Sequence, residues 1–448
     1  MALAEEFGTP LYVFDEEELR GNCRDYREAF ASRYANRAVV YASKAYLAIW
    51  IAALMEEEGL GLDVVSGGEL AVARRAGFPM DRILFHGNNK SEQELREALG
   101  GGGIGRIVID NFHELAMLER IAGELGVTQR VLVRVSPNVD PHTHVKTTTG
   151  VLDTKFGFSL EARAISDGGT EANASDGDSA RATVDGGTEG NASDGDSSQA
   201  EEAVRQVMAS PHLELMGLHC HLGSPIYGLE PHALANDVMI AFAREMRDRH
   251  GLELREYSPG GGFAMQYVRD QPAPSPDDYA EAVVGSLRQA LEREGLPEPR
   301  LTVEPGRSIV ARAGVALYTV GARKEMPGVR TYVSVDGGMA DNIRPAMYGA
   351  RYEALVANRV GDAPEERVTV AGKYCESGDV LLRDIELPRL DAGDLLALPG
   401  SGAYCLSMAS NYNHAPRPAA VLVRDGEARL VRRRETYEDM MRADVWEE

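Results

Sequence analysis

The sequence predicts an α/β protein in which a (β/α)8 TIM-like barrel is joined to a discontinuous, C-terminal β-rich domain. Three observations carry this prediction. Short apolar runs alternate with helical patterns from Val39 to Glu304. Polar and glycine-rich residues gather just after those runs, and plainer residues precede them. From about Val310 the chain reads as strands with little helix between them. An open doubly wound sheet is the alternative, but its usual GxGxxG after the first strand is absent, and Lys44 stands there instead.

A chain of 448 residues suits two or three domains. No apolar run reaches the ~18 residues a membrane span needs. The start, Met1-Ala2-Leu3-Ala4-Glu5-Glu6, lacks a signal peptide's basic opening and apolar middle. Cys23, Cys220, Cys375 and Cys405 are far apart, which argues for a reducing cytoplasm and against a zinc ribbon or a disulfide framework. The net charge of −23 argues against nucleic acid as a partner. The expectation is a cytoplasmic protein with no metal site.

In chain order, Leu11 to Phe14 reads as a strand, and Asp15 caps a helix to about Ser32, with Glu16 to Glu18 in its first turn. The eight barrel strands are expected at 39–42, 61–65, 82–85, 106–109, 130–135, 213–218, 252–257 and 301–304, with helices such as 69–76, 92–99 and 112–124 between them. Eight units in about 270 residues fit a closed barrel, whose sites lie at the C-terminal strand ends. Those ends carry Lys44, then His86-Gly87-Asn88, Arg134, His219 and His221 with Gly223-Ser224, Pro259 to Gly262, and Glu304 to Arg307. Later strands are expected at 310–320, 329–336, 368–371, 395–398 and 419–423. The barrel is taken as 15–312, and the β domain as 1–14 with 313–448.

One stretch fits neither domain. Ser166 to Ser179 recurs almost unchanged 18 residues later, as Val184 to Ser197. Between Asp167 and Asp196 it holds eight acids against one base, Arg181, and almost no apolar side chain. Such a segment buries too little surface to offset chain entropy, so it reads as a disordered insertion at about 165–198. A calcium loop is the sharper reading, but neither copy has EF-hand spacing.

The strand ends suggest a chemistry. A lysine at a strand tip can form a Schiff base with an aldehyde cofactor, or it can simply be solvated. Gly260-Gly261-Gly262 lets backbone N–H groups approach a phosphate closely, although glycine runs also serve as plain turns. Ser224 could add a hydroxyl, and His221 could lie on a ring or be a packed core histidine. With Glu304 to keep a pyridine nitrogen protonated, the set together suggests pyridoxal 5'-phosphate.

Seven runs then fall into one pattern: Tyr41 to Ala45, His219 to Ser224, Gly260 to Gly262, Glu304 to Arg307, Asp336 to Met339 with Arg344-Pro345 and Tyr348-Gly349, Cys375 to Asp379, and Gly402 to Cys405 with Asn411 to Asn413. They cover nearly the whole chain outside 166–197. In content and order they resemble the fold-type III pyridoxal-phosphate decarboxylases, and among them the diaminopimelate decarboxylase family. The resemblance implies decarboxylation of meso-2,6-diaminopimelate to L-lysine and CO2, the last step of lysine biosynthesis. It also implies roles. Lys44 holds the cofactor and His221 stacks on its ring. Ser224, Gly260, Gly261 and Gly262 bind the phosphate, with Gly306 and backbone near Arg307. Glu304 pairs with the pyridine nitrogen. Arg307, Arg344, Tyr348 and Glu376 bind substrate, and Tyr404 touches both. Cys375 donates a proton from the second subunit of a homodimer with shared sites.

Arginine suits the distal carboxylate because its planar fork binds in a bidentate way. Ornithine, arginine and lysine decarboxylases need no such clamp and tend to carry Cys-Asp where this chain has Cys375-Glu376. A pyridoxal-phosphate carrier without turnover resembles the barrel alone. Alanine racemase sets an arginine against the pyridine nitrogen, where Glu304 stands here. Two features depart from the family pattern: Pro225 replaces the usual glutamine after Gly223-Ser224, and the insertion follows Lys155-Phe156-Gly157 near the barrel mouth.

Overall fold

The computed structural model describes residues 1–141, 143, 147–150, 153–161 and 197–446. The insertion expected at about 165–198 falls outside these residues except for Ser197 and Ser198. Of those, Ser198 caps the helix Gln199–Ala209 by accepting the Glu201 N–H.

Among the described residues, eighteen strands follow in chain order. They are β1 (Leu11–Asp15), β2 (Arg37–Ala42), β3 (Gly61–Val64), β4 (Ile83–Phe85), β5 (Arg106–Ile109), β6 (Gln129–Ser136), β7 (Phe158–Ser159), β8 (Leu213–His219), β9 (Glu256–Gly261), β10 (Arg300–Glu304), β11 (Gly314–Met326), β12 (Arg330–Val335), β13 (Leu355–Val356), β14 (Glu366–Ala371), β15 (Val380–Leu387), β16 (Leu395–Pro399), β17 (Ala419–Arg424) and β18 (Glu427–Arg432). Strands β2 to β6 and β8 to β10 pair in parallel, each with its neighbour in the chain, and β10 returns to β2. This is the closed eight-stranded barrel. Its last register sets Leu301, Thr302 and Val303 against Arg37, Ala38 and Val39. Because helices cover its outside and side chains fill its inside, strands such as β3 and β5 are buried at every position.

The second sheet runs β15-β14-β12-β11-β1-β17-β18, with β16 also beside β11 and β13 beside β16. The N-terminal strand lies in its middle: Leu11 to Phe14 pair antiparallel with β11 and parallel with β17. Asp15 then ends β1 and caps the helix Glu16–Ala31 by accepting the Glu18 N–H at 3.0 Å. A single residue thus hands the chain from sheet to barrel.

All eight expected barrel strands are present, and the seventh is displaced. It was expected at 252–257 and runs Glu256–Gly261. The preceding helix, Glu230–His250, ends on Gly251 in the left-handed conformation, and the Leu252 N–H still bonds back to the Met246 carbonyl. Leu252 and Leu254 are buried as loop residues, not as ladder residues. Pro259, Gly260 and Gly261 therefore belong to the strand, and only Gly262 lies past its end. A helical turn, Arg307–Val310, likewise delays the next strand to Gly314. Strands β7, β13, β15 and β18 were not anticipated. Among the described residues no helix is long and apolar enough to cross a membrane.

The two barrel ends differ chemically. At the N-terminal end Glu256 is held by Arg106 at 2.8 Å and by the Thr302 hydroxyl at 2.8 Å, a closed and buried set. Toward the opposite end, at the start of the helix Glu230–His250, His232 is buried against Phe263, just past β9, and neither of its ring nitrogens has a partner among the described residues. Burial lowers its pKa from 6.5 to about 4. The fold thus favours the neutral ring, and that preference is fully present above about pH 6.5 and gone by about pH 4. Replacing it by leucine should flatten the acid limb of stability over this interval by about 3 kcal/mol. Unfolding of His232→Leu and wild type across this pH range checks this.

Candidate active site

The C-terminal ends of the barrel strands open on a cavity of about 580 Å³. Lys44, His221, Ser224, Glu304, Arg307, Arg344, Tyr348 and Tyr404 all line it. A narrow annex at its foot is bounded by Lys44, Ser224, Gly262 and Gly306. Residues widely separated in sequence thus converge as expected. Cys375 and Glu376 do not: both are exposed, and neither lines this chain's cavity.

Lys44 sits in the helical turn Ser43–Ala45 that ends β2, facing the cavity. That turn is tied to the second sheet. The Tyr404 N–H donates to the Ala45 carbonyl at 2.7 Å, and the Ser407 hydroxyl donates to the same oxygen at 3.0 Å. Tyr404 pays for this reach with φ +58°, a conformation uncommon outside glycine. Gly306 packs under the same turn, where a Cβ would stand 2.8 Å from that of Ala42.

Glu304 ends β10 and is buried. The Ser258 hydroxyl donates to Oε1 at 2.8 Å, His219 Nε2 lies 3.2 Å from Oε2, and His86 Nε2 lies 3.7 Å from Oε1. Burial alone would raise its pKa, but His219 and His86 beside it hold it below the usual carboxylate range. Asp63, from β3, behaves oppositely. Burial, and then repulsion from Glu304, push its carboxyl well above the usual range. Its Oδ1 has no hydrogen-bond partner among the described residues. The surroundings thus drive the two carboxyls apart, Glu304 toward the ionised form and Asp63 toward the protonated one. Burial, reinforced by Lys44, also holds His221 neutral, and its Nδ1 accepts the Gly261 N–H at 3.2 Å. Ligand-type atoms of His86, His219 and Glu304 lie within 4.8 Å of one another, but Glu304 already spends its oxygens on Ser258 and His219.

Arg307 and Arg344 have no counter-ion among the described residues, unlike Arg134, which faces Asp110 at 3.7 Å. Arg307 donates to Ser224 Oγ at 3.1 Å and to the Tyr267 hydroxyl at 3.0 Å, and stacks 4.6 Å from the centre of the Tyr404 ring. Arg344 donates to the Tyr352 hydroxyl and lies 4.4 Å from the centre of the Tyr267 ring. Ser224 keeps its place at the annex although Pro225 follows it.

The loop carrying Cys375 and Glu376 is held by Asp379, which accepts the N–H groups of Met339 at 2.7 Å and Tyr374 at 2.8 Å. The Cys375 N–H donates to Asn413 Oδ1 at 2.9 Å. The loop is ordered by its own chain while its tip faces outward.

With this geometry in hand, the comparisons are direct. The family model described as the pyridoxal binding domain of pyridoxal-dependent decarboxylases matches residues 16–175 and 175–311. Diaminopimelate decarboxylase of Bacillus subtilis is 46% identical over 443 residues, covering 99% of this chain and 93% of the relative. The chain belongs to the diaminopimelate decarboxylase family. A solved diaminopimelate decarboxylase from M. jannaschii in complex with L-lysine superposes with a TM-score of 0.85 at 34% identity, covering 100% of this chain and 94% of that one. The Helicobacter pylori structure with L-lysine gives 0.82 at 30% identity, with 98% of each chain covered.

The family's cofactor, pyridoxal phosphate, fits the residues present. The annex is walled by glycines where side chains would intrude. At Gly262, with φ +92°, a Cβ would meet the Gly223 carbonyl oxygen at 2.3 Å. Asp63 and Tyr267 are among the cavity residues that escaped the sequence reading. Asp63 left a trace, a lone acid within an apolar run. Tyr267 left none, because it sits in the irregular segment after β9.

Gly262→Ala should cost about 1–3 kcal/mol in backbone strain alone and should also weaken pyridoxal-phosphate binding. Gly295→Ala has φ +63° but open space, so it should lower thermal stability and leave cofactor binding intact. Absorbance titration of the cofactor, set beside melting temperature, separates the two.

Proposed function

We propose that this chain decarboxylates meso-2,6-diaminopimelate to L-lysine and CO2 at the cavity described, using pyridoxal phosphate. One observation carries the reading furthest. Lys44 and an ionised Glu304 stand on adjoining strands beside two buried arginines that lack a carboxylate partner among the described residues.

Bound pyridoxal phosphate supplies an electron sink for the carbon that loses CO2. Lys44 is the covalent anchor. His221 offers a neutral ring face, and its Nδ1 bond to Gly261 fixes the orientation. Ser224, Gly260 to Gly262 and the backbone around Gly306 and Arg307 receive the phosphate. Glu304 Oε holds the proton on the ring nitrogen, since its own affinity for a proton is low. Arg307, Arg344 and Tyr348 bind the substrate, and Tyr404 bounds both ligands. An arginine fork matches a carboxylate in a bidentate way, so a substrate without the distal carboxylate would leave a buried cation unpaired.

Cys375 and Glu376 complete the site from a second copy. Their exposure in the single chain, on a loop ordered by Asp379, supports a homodimer with shared sites. In it Cys375 Sγ returns a proton to the reacting carbon, and Glu376 pairs with the distal ammonium. Residues 15–312 then serve as the cofactor-binding unit, and 1–14 with 313–448 complete the substrate side. The protein works in the cytoplasm.

Lys44→Ala should abolish L-lysine formation, and full activity in that variant would contradict the mechanism. Cys375→Ala should also be nearly inactive. Mixing the two inactive variants under conditions of subunit exchange should restore on the order of a quarter of the activity, because each mixed dimer keeps one intact site. No recovery, with mixed dimers demonstrated, would place Cys375 and Lys44 in the same chain's site or Cys375 outside the chemistry.

A further inference from the structure

Tyr267 touches two of the arginines that line the cavity, Arg307 and Arg344, and has no role in the scheme above. Its hydroxyl accepts a hydrogen bond from Arg307 Nη1 at 3.0 Å. Its ring face lies 4.4 Å from the Arg344 guanidinium carbon. Behind it, the Tyr352 ring meets it edge-on, 84° from parallel with centres 5.6 Å apart. The three elements that meet here come from different parts of the chain: Tyr267 follows β9, Arg307 follows β10, and Arg344 opens the short helix Arg344–Tyr348 between β12 and β13.

Two guanidinium ions buried in one cavity repel each other and are costly to desolvate. A carboxylate between them would relieve this, but it would occupy the same N–H groups a substrate carboxylate needs. An aromatic ring relieves it differently. Its π face attracts a cation without consuming donors, and its hydroxyl takes one N–H of Arg307 and leaves the rest of the fork. A neutral wedge of this kind holds both cations apart, aimed and unneutralised.

Resting on the function proposed above, we propose that Tyr267 is a positioning residue. It sets the spacing and aim of Arg307 and Arg344 for the substrate carboxylate distal to the reacting carbon. It touches the forks and not the reacting atoms, so it governs affinity for the distal group and through it the choice of substrate. The carboxylate it serves is the one retained in L-lysine, so equilibrium binding of L-lysine reads the effect without turnover.

The test uses the holoenzyme with Tyr267→Phe and Tyr267→Leu. Phenylalanine keeps the ring under Arg344 and removes only the hydroxyl. The Kd of L-lysine, by calorimetry, should rise roughly fivefold. Leucine removes both supports, and Kd should rise about thirtyfold. The KM for meso-diaminopimelate should rise in parallel, kcat should change by less than about threefold, and cofactor absorbance should be unchanged, the pattern of lost uniform binding. Kd and KM within about twofold of wild type in Tyr267→Leu would overturn the proposal. So would a fall in kcat without a rise in KM, or loss of cofactor, either of which marks a structural role. A wild type that neither binds L-lysine nor consumes diaminopimelate would overturn the functional reading and this proposal with it. Tyr267 variants that bind L-lysine as tightly as an active wild type would overturn this proposal alone.

Discussion

The closing seam of the barrel is the constraint on which the site depends. Lys44 and Glu304 are 260 positions apart in the chain, and they become neighbours only because β10 pairs with β2. The Ala42 N–H donates to the Pro305 carbonyl at 3.1 Å just past the last ladder pair, extending the seam into the turns that carry both residues. Gly306 lets those turns close. Backbone hydrogen bonds, not side-chain flexibility, therefore fix the distance between the lysine and the acid. A seam of this kind is stiff, as a site that must hold a planar ring between two groups requires.

Charge is arranged around that seam by sign and by partner. The far end of the barrel neutralises its buried charges, with Arg106, Glu256 and Thr302 forming a closed set. The cavity end leaves them poised. Donors around Glu304 favour its ionised form, while burial, and then repulsion from Glu304, push Asp63 toward its protonated form. Arg307 and Arg344 rest on hydroxyls and ring faces, with no acid against them among the described residues. Leaving buried charge uncompensated costs stability, and a protein does so where a ligand is to supply the missing partner.

Much of this was legible in the sequence, for physical reasons. Parallel barrel strands are buried on both faces, so they stand out as apolar runs, and chemistry placed at strand ends stands out as the residue after each run. That is how Lys44, Glu304 and His221 could be found. Strand β9 slipped because Leu252 and Leu254 alternate with polar residues as a strand would while serving as the wrap of a helix C-cap. β15 was missed because charged residues, Arg383, Asp384 and Glu386, break its apolar run. Asp63 carried a signal, being an acid inside an apolar strand. Tyr267 carried none, since its importance lies in a three-way contact that no local pattern encodes. The outward placement of Cys375 depends on the backbone bonds to Asp379, Asn413 and Tyr412, which only the folded chain brings together.

The central claim is that this seam and its arginines make a decarboxylase selective for a substrate with a second, distal carboxylate. The most direct measurement is CO2 release from meso-diaminopimelate, with pyridoxal phosphate added and ornithine, arginine and lysine run in parallel, and L-lysine identified as the product. The account predicts rapid release from diaminopimelate and little from the other three. Comparable or faster release from ornithine, arginine or lysine would contradict it: the barrel and cofactor would stand, and the reading of Arg307 and Arg344 as a distal carboxylate clamp would fall.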